Sequence, residues 1–352
     1  MIGNRPQFVK AAAVSPGLRQ SHTEVMVHTG QHFDDELSAV FFDELGLPAP
    51  DVELNVALGT NTSQTARMLE ALEPLLQREQ PDVVLVYGDT NSTLAGALAG
   101  AQQNLPVAHV EAGMRSFDRS MPEELNRVLA DHASALLLCS TEQAVDNLHS
   151  ERVSGDVELV GDVMIDVALK VQPESRKRTD LVTARGVEPG AYALATAHRA
   201  GNVDDPARLT ALVELLTAMP LPVIVALHPR TTKRLTETDR LMDRLHGADN
   251  VILTPPLGYF ETAALLTNAK AILTDSGGLQ KEAYLAGVPC VTLRPNTEWT
   301  ETVDAGWNTL VDLDAGAARA ALDAPLPAER PALYGDGHAG RRVIDALTLR
   351  FA

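Results

Sequence analysis

Along the chain, short continuously apolar runs alternate with amphipathic stretches from residue 80 onward. Just upstream, residues 63–80 place Met68, Leu69, Leu72, Leu75 and Leu76 on one stripe, which predicts a helix. The run 82–87 predicts a buried strand ending at Gly88-Asp89-Thr90, with a helix over 92–103 after it. A strand over 107–110 ends in Glu111-Ala112-Gly113, and a helix opens at Pro122. A strand over 135–139 and a helix from Thr141 follow. Strands that are apolar throughout and separated by helices belong to a parallel sheet covered on both faces. The second half repeats the scheme, with strands over 192–197, 222–227, 251–253, 271–274 and 289–293 and helices such as 206–219 and 278–285. The expected class is α/β, two Rossmann-like doubly wound domains facing a central cleft. Their seam is expected between Gly161 and Pro189, where the polar run 173–180 sits, giving domains over 1–168 and 169–337.

A doubly wound domain usually opens with a buried strand, but only Met1 and Ile2 precede Gly3-Asn4-Arg5-Pro6. Either the reading frame starts too late or the first strand is missing, and the first explanation is preferred.

The length of 352 residues suits two domains. Aromatics are only 4% of residues, so Ala, Val and Leu must build the core. No apolar run is long enough to span a bilayer, and MIGNRPQFVK is not a secretory leader. Cys139 and Cys290 stand far apart with no metal-ligand spacing, so neither a disulfide framework nor a metal site is expected, and a cytoplasmic location fits. The net charge of −18 argues against nucleic acid and anionic lipid as partners. An anionic ligand then needs local positive charge.

Ligands of open α/β sheets bind at the carboxyl ends of strands. Asp275-Ser276-Gly277-Gly278 joins a strand to a helix there, and backbone N–H groups of such a turn bind phosphate. The competing explanation is a plain N-cap. Glu282, one turn later, suits ribose hydroxyls or is a solvated surface group. His198-Arg199 and His228-Pro229-Arg230 end equivalent strands and supply positive charge, although a lone His is more often structural. Arg5 and Lys10 offer similar charge in the first half. Asp89, Glu111 and Glu123 are candidate acid–base carboxylates. The competing roles are an N-cap for Asp89 and an ordinary helix start for Glu123. Gly335-Asp-Gly-His-Ala-Gly340 matches a dinucleotide pattern, but no βαβ unit follows it, so no cofactor is expected.

Taken together, GNRPQFVK, HTGQHFDDELS, VYGDTNSTLAGALA, HVEAGMRSFDRSMPEELNR, VGDVMID, AHRAGNVDD, LHPRT, TDSGGLQKEA, NTEWTETVDAGWN and YGDG resemble the non-hydrolysing UDP-N-acetylglucosamine 2-epimerase family. The resemblance implies a fold similar to two-domain nucleotide-sugar glycosyltransferases (GT-B-like), with a last helix over 338–352 packing back on the first domain. It implies interconversion of UDP-N-acetylglucosamine and UDP-N-acetylmannosamine by elimination of UDP to 2-acetamidoglucal and re-addition. Asp89, Glu111 and Glu123 then occupy the acid–base positions, with the proton acceptor among them left open. His198 resembles the group that stabilises departing UDP, Arg5 and Lys10 the N-terminal basic pair, Ser276 and Gly277 the diphosphate turn, and Glu282 the ribose contact. Arg230 and Tyr259 resemble, more loosely, phosphate and uracil contacts. A UDP-sugar and a second copy of the chain are the implied partners.

The chain departs from many relatives at Gln7 and Gly201, where Glu is common. A shortened start implies poorly anchored Arg5 and Lys10 and weak activity, restored by extension upstream. Alternatives are a UDP-diacetamido-uronate 2-epimerase, with Arg115 or Arg119 meeting the extra carboxylate, a glycosyltransferase of the same fold, and a catalytically dead nucleotide-sugar sensor.

Overall fold

The computed structural model describes residues 1–30, 45–56, 59–238 and 240–351. Residues 31–38 of the HTGQHFDDELS motif lie outside the described residues. The chain divides into two compact units, Met1–Val167 with Ala332–Ala352, and Ala168–Pro331.

In the first unit, β1 (Val27–His28) pairs with β2 (Val52–Glu53), and β3 (Val84–Tyr87), β4 (Val107–Ala112), β5 (Leu136–Cys139) and β6 (Asp156–Leu159) form a parallel sheet in that order. Residues 1–2 bridge the two sets. Ile2 N–H donates to Val27 at 2.9 Å, Thr29 N–H donates to Ile2 at 2.9 Å, and the Met1 amine donates to Leu85 at 2.8 Å. Met1 and Ile2 thus lie in the place of a first strand, between β1 and β3, held there by a single bridge from Ile2 to His28. Counting them as first, the order is 3-2-1-4-5-6-7, the doubly wound order with its reversal between the Met1–Ile2 stub and β3. The predicted helical stripe is real: in the helix Asn61–Glu79, Met68, Leu72, Leu75 and Leu76 are buried against Val84 and Val86.

The second unit carries six parallel strands: β7 (Ala193–Thr196), β8 (Val223–Ala226), β9 (Val251–Thr254), β10 (Ala271–Thr274), β11 (Cys290–Thr292) and β12 (Asn308–Leu310). Their order, β12-β11-β10-β7-β8-β9, is again 3-2-1-4-5-6 in chain sequence. Alternate residues feed two separate cores: Ala193, Val223 and Leu273 join one, and Leu194, Ile224 and Ile272 the other. The boundary between the units, Val167 to Ala168, lies within the expected span from Gly161 to Pro189 and one residue from the expected division, but inside a helix, Val163–Lys177, rather than in the polar run 173–180, and residues 332–337 go with the first unit. Val163, Ile165, Val167, Ala168 and Val171 are buried on that helix, and its polar residues are concentrated in the last turns. Edge strands β6 and β12, DVEL and NTL, were not anticipated because they lack the continuous apolar run of central strands.

The helix Ala339–Phe351 packs on Arg5–Ser21. The crossing is tight: a Cβ on Gly340 would lie 2.2 Å from the Ala13 carbonyl, while one on Gly17 would lie 2.6 Å from Ile344 Cδ1. Asp166 accepts from the N–H groups of Ala339 (3.0 Å) and Gly340 (2.7 Å), fastening the start of that helix.

A buried charge network binds β3, β4 and the helix Pro122–Ala133 together. His109 on β4 has Nδ1 2.7 Å from Asp131 and Nε2 2.7 Å from the Gly88 carbonyl. The other Asp131 oxygen accepts from Gly113 N–H at 3.1 Å and from Arg115 at 2.8 Å. Arg115 forks onto Glu151 with two 2.7 Å bonds. Burial pushes the Asp131 carboxyl up, but His109 and Arg115 outweigh it and leave it below the ordinary 3.8. The hydrogen bonds from Arg115 hold Glu151 below 4.5.

Two outcomes follow from these contacts. Gly340→Ala forces backbone apart and lowers unfolding free energy by roughly 1–3 kcal/mol, more than Gly17→Ala, whose clash is with the end of a side chain. Chemical denaturation of both variants checks the ranking. Because Asp131 and Glu151 are depressed in the folded state, the network stabilises above 3.8 and 4.5 and fades as pH falls through the lowered values. Arg115→Met therefore costs roughly 3–5 kcal/mol at neutral pH. That deficit shrinks toward pH 2 in a circular-dichroism acid titration, and a pH-independent deficit would refute it.

Candidate active site

In the first unit the chemistry gathers at the reversal point. Gly88 ends β3 at φ 65, and a Cβ there would lie 2.7 Å from Lys10 Nζ and 3.2 Å from Glu111 Oε2. Glycine thus makes room for an ion pair between Lys10 and Glu111, whose side chains are 6% and 11% exposed. Glu111 occupies a bulge of β4, where pairing with β5 skips from Val110 to Ala112, and its own φ is 69. A bulge re-aims the side chain it carries.

Lys10 is delivered by the helix Arg5–Ser21, which Asn4 caps. On the same face, Gln7 Nε2 donates to the Tyr87 carbonyl (2.8 Å) and to the hydroxyls of Thr90 and Thr93 (3.0 Å each). Lys10 is 5% exposed and Arg5 half-buried, so the expected poor anchoring of this basic pair is corrected. Thr90, with a reciprocal bond to Thr93, caps the helix Asn91–Gln102, so Asp89 is not the N-cap. Asp89 instead pairs with Arg127 at 2.5 Å, and its carbonyl accepts from Asn126 at 3.0 Å. Glu123 is half-buried, one turn before Arg127 on the same side of its helix. Its neighbour Glu124 is consumed structurally, accepting from the N–H groups of Ser116 and Phe117 at 2.9 Å.

In the second unit the reversal lies between β7 and β10. Asp275, fully buried after β10, accepts from the N–H groups of His198 (3.0 Å) and Arg199 (2.9 Å) and from Asn202 (3.1 Å). It ties the two strand ends together and is not itself aimed at a ligand. Ser276 precedes the helix Gly277–Ala286 without a side-chain cap, its own N–H donating to the Thr274 hydroxyl at 3.0 Å, and Gly277 and Gly278 follow at the helix start, where N–H groups can bind an anion. Next to it Glu298 is held by Arg294 at 2.8 Å and Arg199 at 3.4 Å. Burial raises the Glu298 carboxyl, and the two arginines more than reverse that.

His198 Nδ1 lies 3.4 Å from Asp275, and its ring is 5.3 Å from that of His228. His228 caps the helix Pro229–Glu237 by accepting from Arg230 N–H at 3.1 Å. The Arg230 guanidinium is exposed and turned to Asp204, which Arg234 also holds at 3.0 Å. The structure therefore gathers the two histidines with the glycine turn and commits Arg230 to an ion pair. Tyr259 and Glu282 line one small cavity with Ala168, Val171 and Gln172. Burial, then the Glu282 charge, push the Tyr259 hydroxyl well above its ordinary value.

Asn126, Arg127, Arg294 and Glu298 were given no role from the sequence, and Gln7 was noted only as a departure from relatives. Asn126 and Arg127 were legible in principle, three and four residues after Glu123 on one helix face. Both cysteines are buried, with thiols pushed up to about 12, which removes them as nucleophiles. Among the described residues there is no cluster of metal-ligating side chains and no helix long and apolar enough to cross a membrane.

The family model described as UDP-N-acetylglucosamine 2-epimerase matches residues 18–348. A UDP-N-acetylglucosamine 2-epimerase homolog of Methanococcus maripaludis is 45% identical, over 99% of this chain and 98% of the relative. The UDP-2,3-diacetamido-2,3-dideoxy-D-glucuronate 2-epimerase of Pseudomonas aeruginosa is 44% identical, again over 99% and 98%. The crystal structure of Methanocaldococcus jannaschii UDP-N-acetylglucosamine 2-epimerase in complex with UDP-N-acetylglucosamine and UDP superposes with a TM-score of 0.91 at 40% identity, covering 99% of this chain and 98% of that one. The fold is the two-domain α/β, GT-B-like class, and the chain, an epimerase and hence an isomerase, belongs to the UDP-N-acetylglucosamine 2-epimerase family.

Proposed function

We propose that the chain interconverts UDP-N-acetylglucosamine and UDP-N-acetylmannosamine. The observation that carries this is the Lys10–Glu111 pair over Gly88, next to Asp89 and its partner Arg127. The C2 hydrogen of the sugar is not adjacent to a carbonyl, so a base acting alone does not remove it. As the C1–O bond breaks, UDP leaves with the bonding pair and the growing positive charge at C1 acidifies the C2–H. A carboxylate takes that proton, leaving 2-acetamidoglucal. In the return step a UDP oxygen attacks C1 while a proton reaches C2 from the opposite face. Asp89, Glu111 and Glu123 form the proton-handling group, with Lys10 and Arg127 setting its charge.

The cradle of Ser276, Gly277 and Gly278, with His198 and His228 beside it, holds the diphosphate and stabilises UDP as it departs. Glu282 and Tyr259 serve the nucleoside, and Arg5 adds positive charge. The family resemblance further supports a cytoplasmic homodimer that feeds cell-surface polysaccharide synthesis.

The Pseudomonas relative favours a second reading, a diacetamido-uronate substrate. Its extra carboxylate calls for a cation, and Arg115 is ruled out because its side chain is 1% exposed and spent on Asp131 and Glu151. Arg119, which is exposed, remains the candidate. Turnover assays with both substrates separate the readings.

Incubation with UDP-N-acetylglucosamine in D2O is expected to give deuterium at C2 and the manno epimer, and absence of both sinks the proposal. Glu111→Gln is expected to lower kcat by about 10²- to 10⁴-fold, the range for a general acid or base. Gly277→Val puts side-chain atoms where a Cβ is already 2.9 Å from Glu298 Oε1. By calorimetry, UDP affinity is expected to fall at least about tenfold, a loss of about 1.4 kcal/mol.

A further inference from the structure

We infer that Asp131 is a positioning residue for Glu111, fixing the carboxylate's aim without touching substrate; the inference rests on the epimerase function proposed above. Glu111 is not glycine, yet its φ is 69, in the left-handed region that costs an ordinary side chain on the order of 1–3 kcal/mol unless its surroundings over-determine it. Among the groups that do so, one buried side chain acts on both flanks. Two residues before Glu111, His109 is held by one Asp131 oxygen at 2.7 Å. Two residues after it, Gly113 N–H is held by the other at 3.1 Å. The bulge carrying Glu111 is thus pinned on both flanks by one carboxylate that is 1% exposed.

The same clamp reaches the neighbouring strand. His109 Nε2 holds the carbonyl of Gly88 at 2.7 Å, and Gly88 is the residue whose missing side chain admits the Lys10–Glu111 pair. Gly113 cannot yield in the other direction, because a Cβ there would lie 2.3 Å from the Ala144 carbonyl, and its own carbonyl accepts from Asn147 at 2.9 Å. Asp131 therefore sets the separation of the β3 and β4 tips and the direction of Glu111. Arg115 neutralises Asp131 from behind, and Glu151 orients Arg115. An amide at position 131 offers one acceptor oxygen in place of two: with that oxygen on Gly113 and Arg115, its NH2 faces His109 Nδ1 and replaces a bond to a carboxylate with a neutral one, so that flank of the bulge is held more weakly.

The test is steady-state kinetics with UDP-N-acetylglucosamine, C2 deuterium exchange, UDP calorimetry and thermal unfolding on wild type, Asp131→Asn, His109→Gln and Glu151→Gln. Asp131→Asn is expected to lower kcat and C2 exchange together by about 10- to 100-fold, the usual cost of removing an orienting partner. KM and the UDP dissociation constant stay within about twofold, the signature of a contribution made in the transition state only. Glu151→Gln loosens the outer end of the network and lowers Tm while kcat stays within about twofold. If Asp131→Asn does not fold, His109→Gln carries the same expectation. Wild-type kcat in either folded variant overturns the inference, as does an equal loss of kcat in Glu151→Gln. No exchange in the wild-type protein would defeat the epimerase function instead, and is told apart by that control.

Discussion

Where two adjacent parallel strands send their crossovers in opposite directions, no helix covers the space above their carboxyl ends, and the rest of this molecule's chemistry depends on that geometric gap. Each unit has one such reversal. In the first it lies between the Met1–Ile2 stub and β3, and in the second between β7 and β10. Backbone N–H groups, glycine turns and short polar side chains collect at both, since nothing apolar needs to be buried there. The first reversal is furnished with carboxylates paired to cations, the second with an open helix start and two histidines.

That division resolves the charge problem set by a net charge of −18. Long-range repulsion of an anionic ligand is screened within about 8–10 Å at physiological salt, so the local complement decides binding. In the second unit Arg199 and Arg294 face a single Glu298, next to an uncapped helix start. In the first unit every candidate carboxylate with a described cation has it at contact: Lys10 for Glu111 and Arg127 for Asp89. Each pair sets a cation against a carboxylate that the proposed mechanism uses.

The sheet class was readable because central strands of a doubly wound sheet are apolar on both faces, as in Leu136–Cys139 and Ala271–Thr274. What escaped was whatever tertiary context alone decides. Edge strands β6 and β12 carry polar residues, and nothing in the sequence showed that the boundary between the units falls inside a continuous helix, Val163–Lys177. Asp89 and Glu111 were singled out by their position after strands, and Glu123 by the resemblance at a helix start. Their controllers were not: the sequence cannot show that Glu111 sits on a bulge, or that Asp131, 20 residues away, pins both flanks of it. A buried aspartate and a surface one look identical in a string of letters.

The two departures from the family pattern bear differently on the idea of a catalytically dead sensor. That idea drew on a missing first strand and on Gly201. Met1 and Ile2 lie in that strand's place, with three main-chain bonds to residues 27, 29 and 85. Gln7 is also accounted for, because its amide donates to the Tyr87 carbonyl and to Thr90 and Thr93. An ionised glutamate has no proton to offer that carbonyl, so here the neutral amide is what holds the β3 tip against the helix bearing Lys10. Nothing in the structure explains Gly201: it starts no left-handed turn, and a Cβ there would meet nothing within 4 Å. A site stripped of function tends to lose its costly features first. This one retains a left-handed Glu111, a buried lysine, and the only residue type at position 88 that lets the two meet.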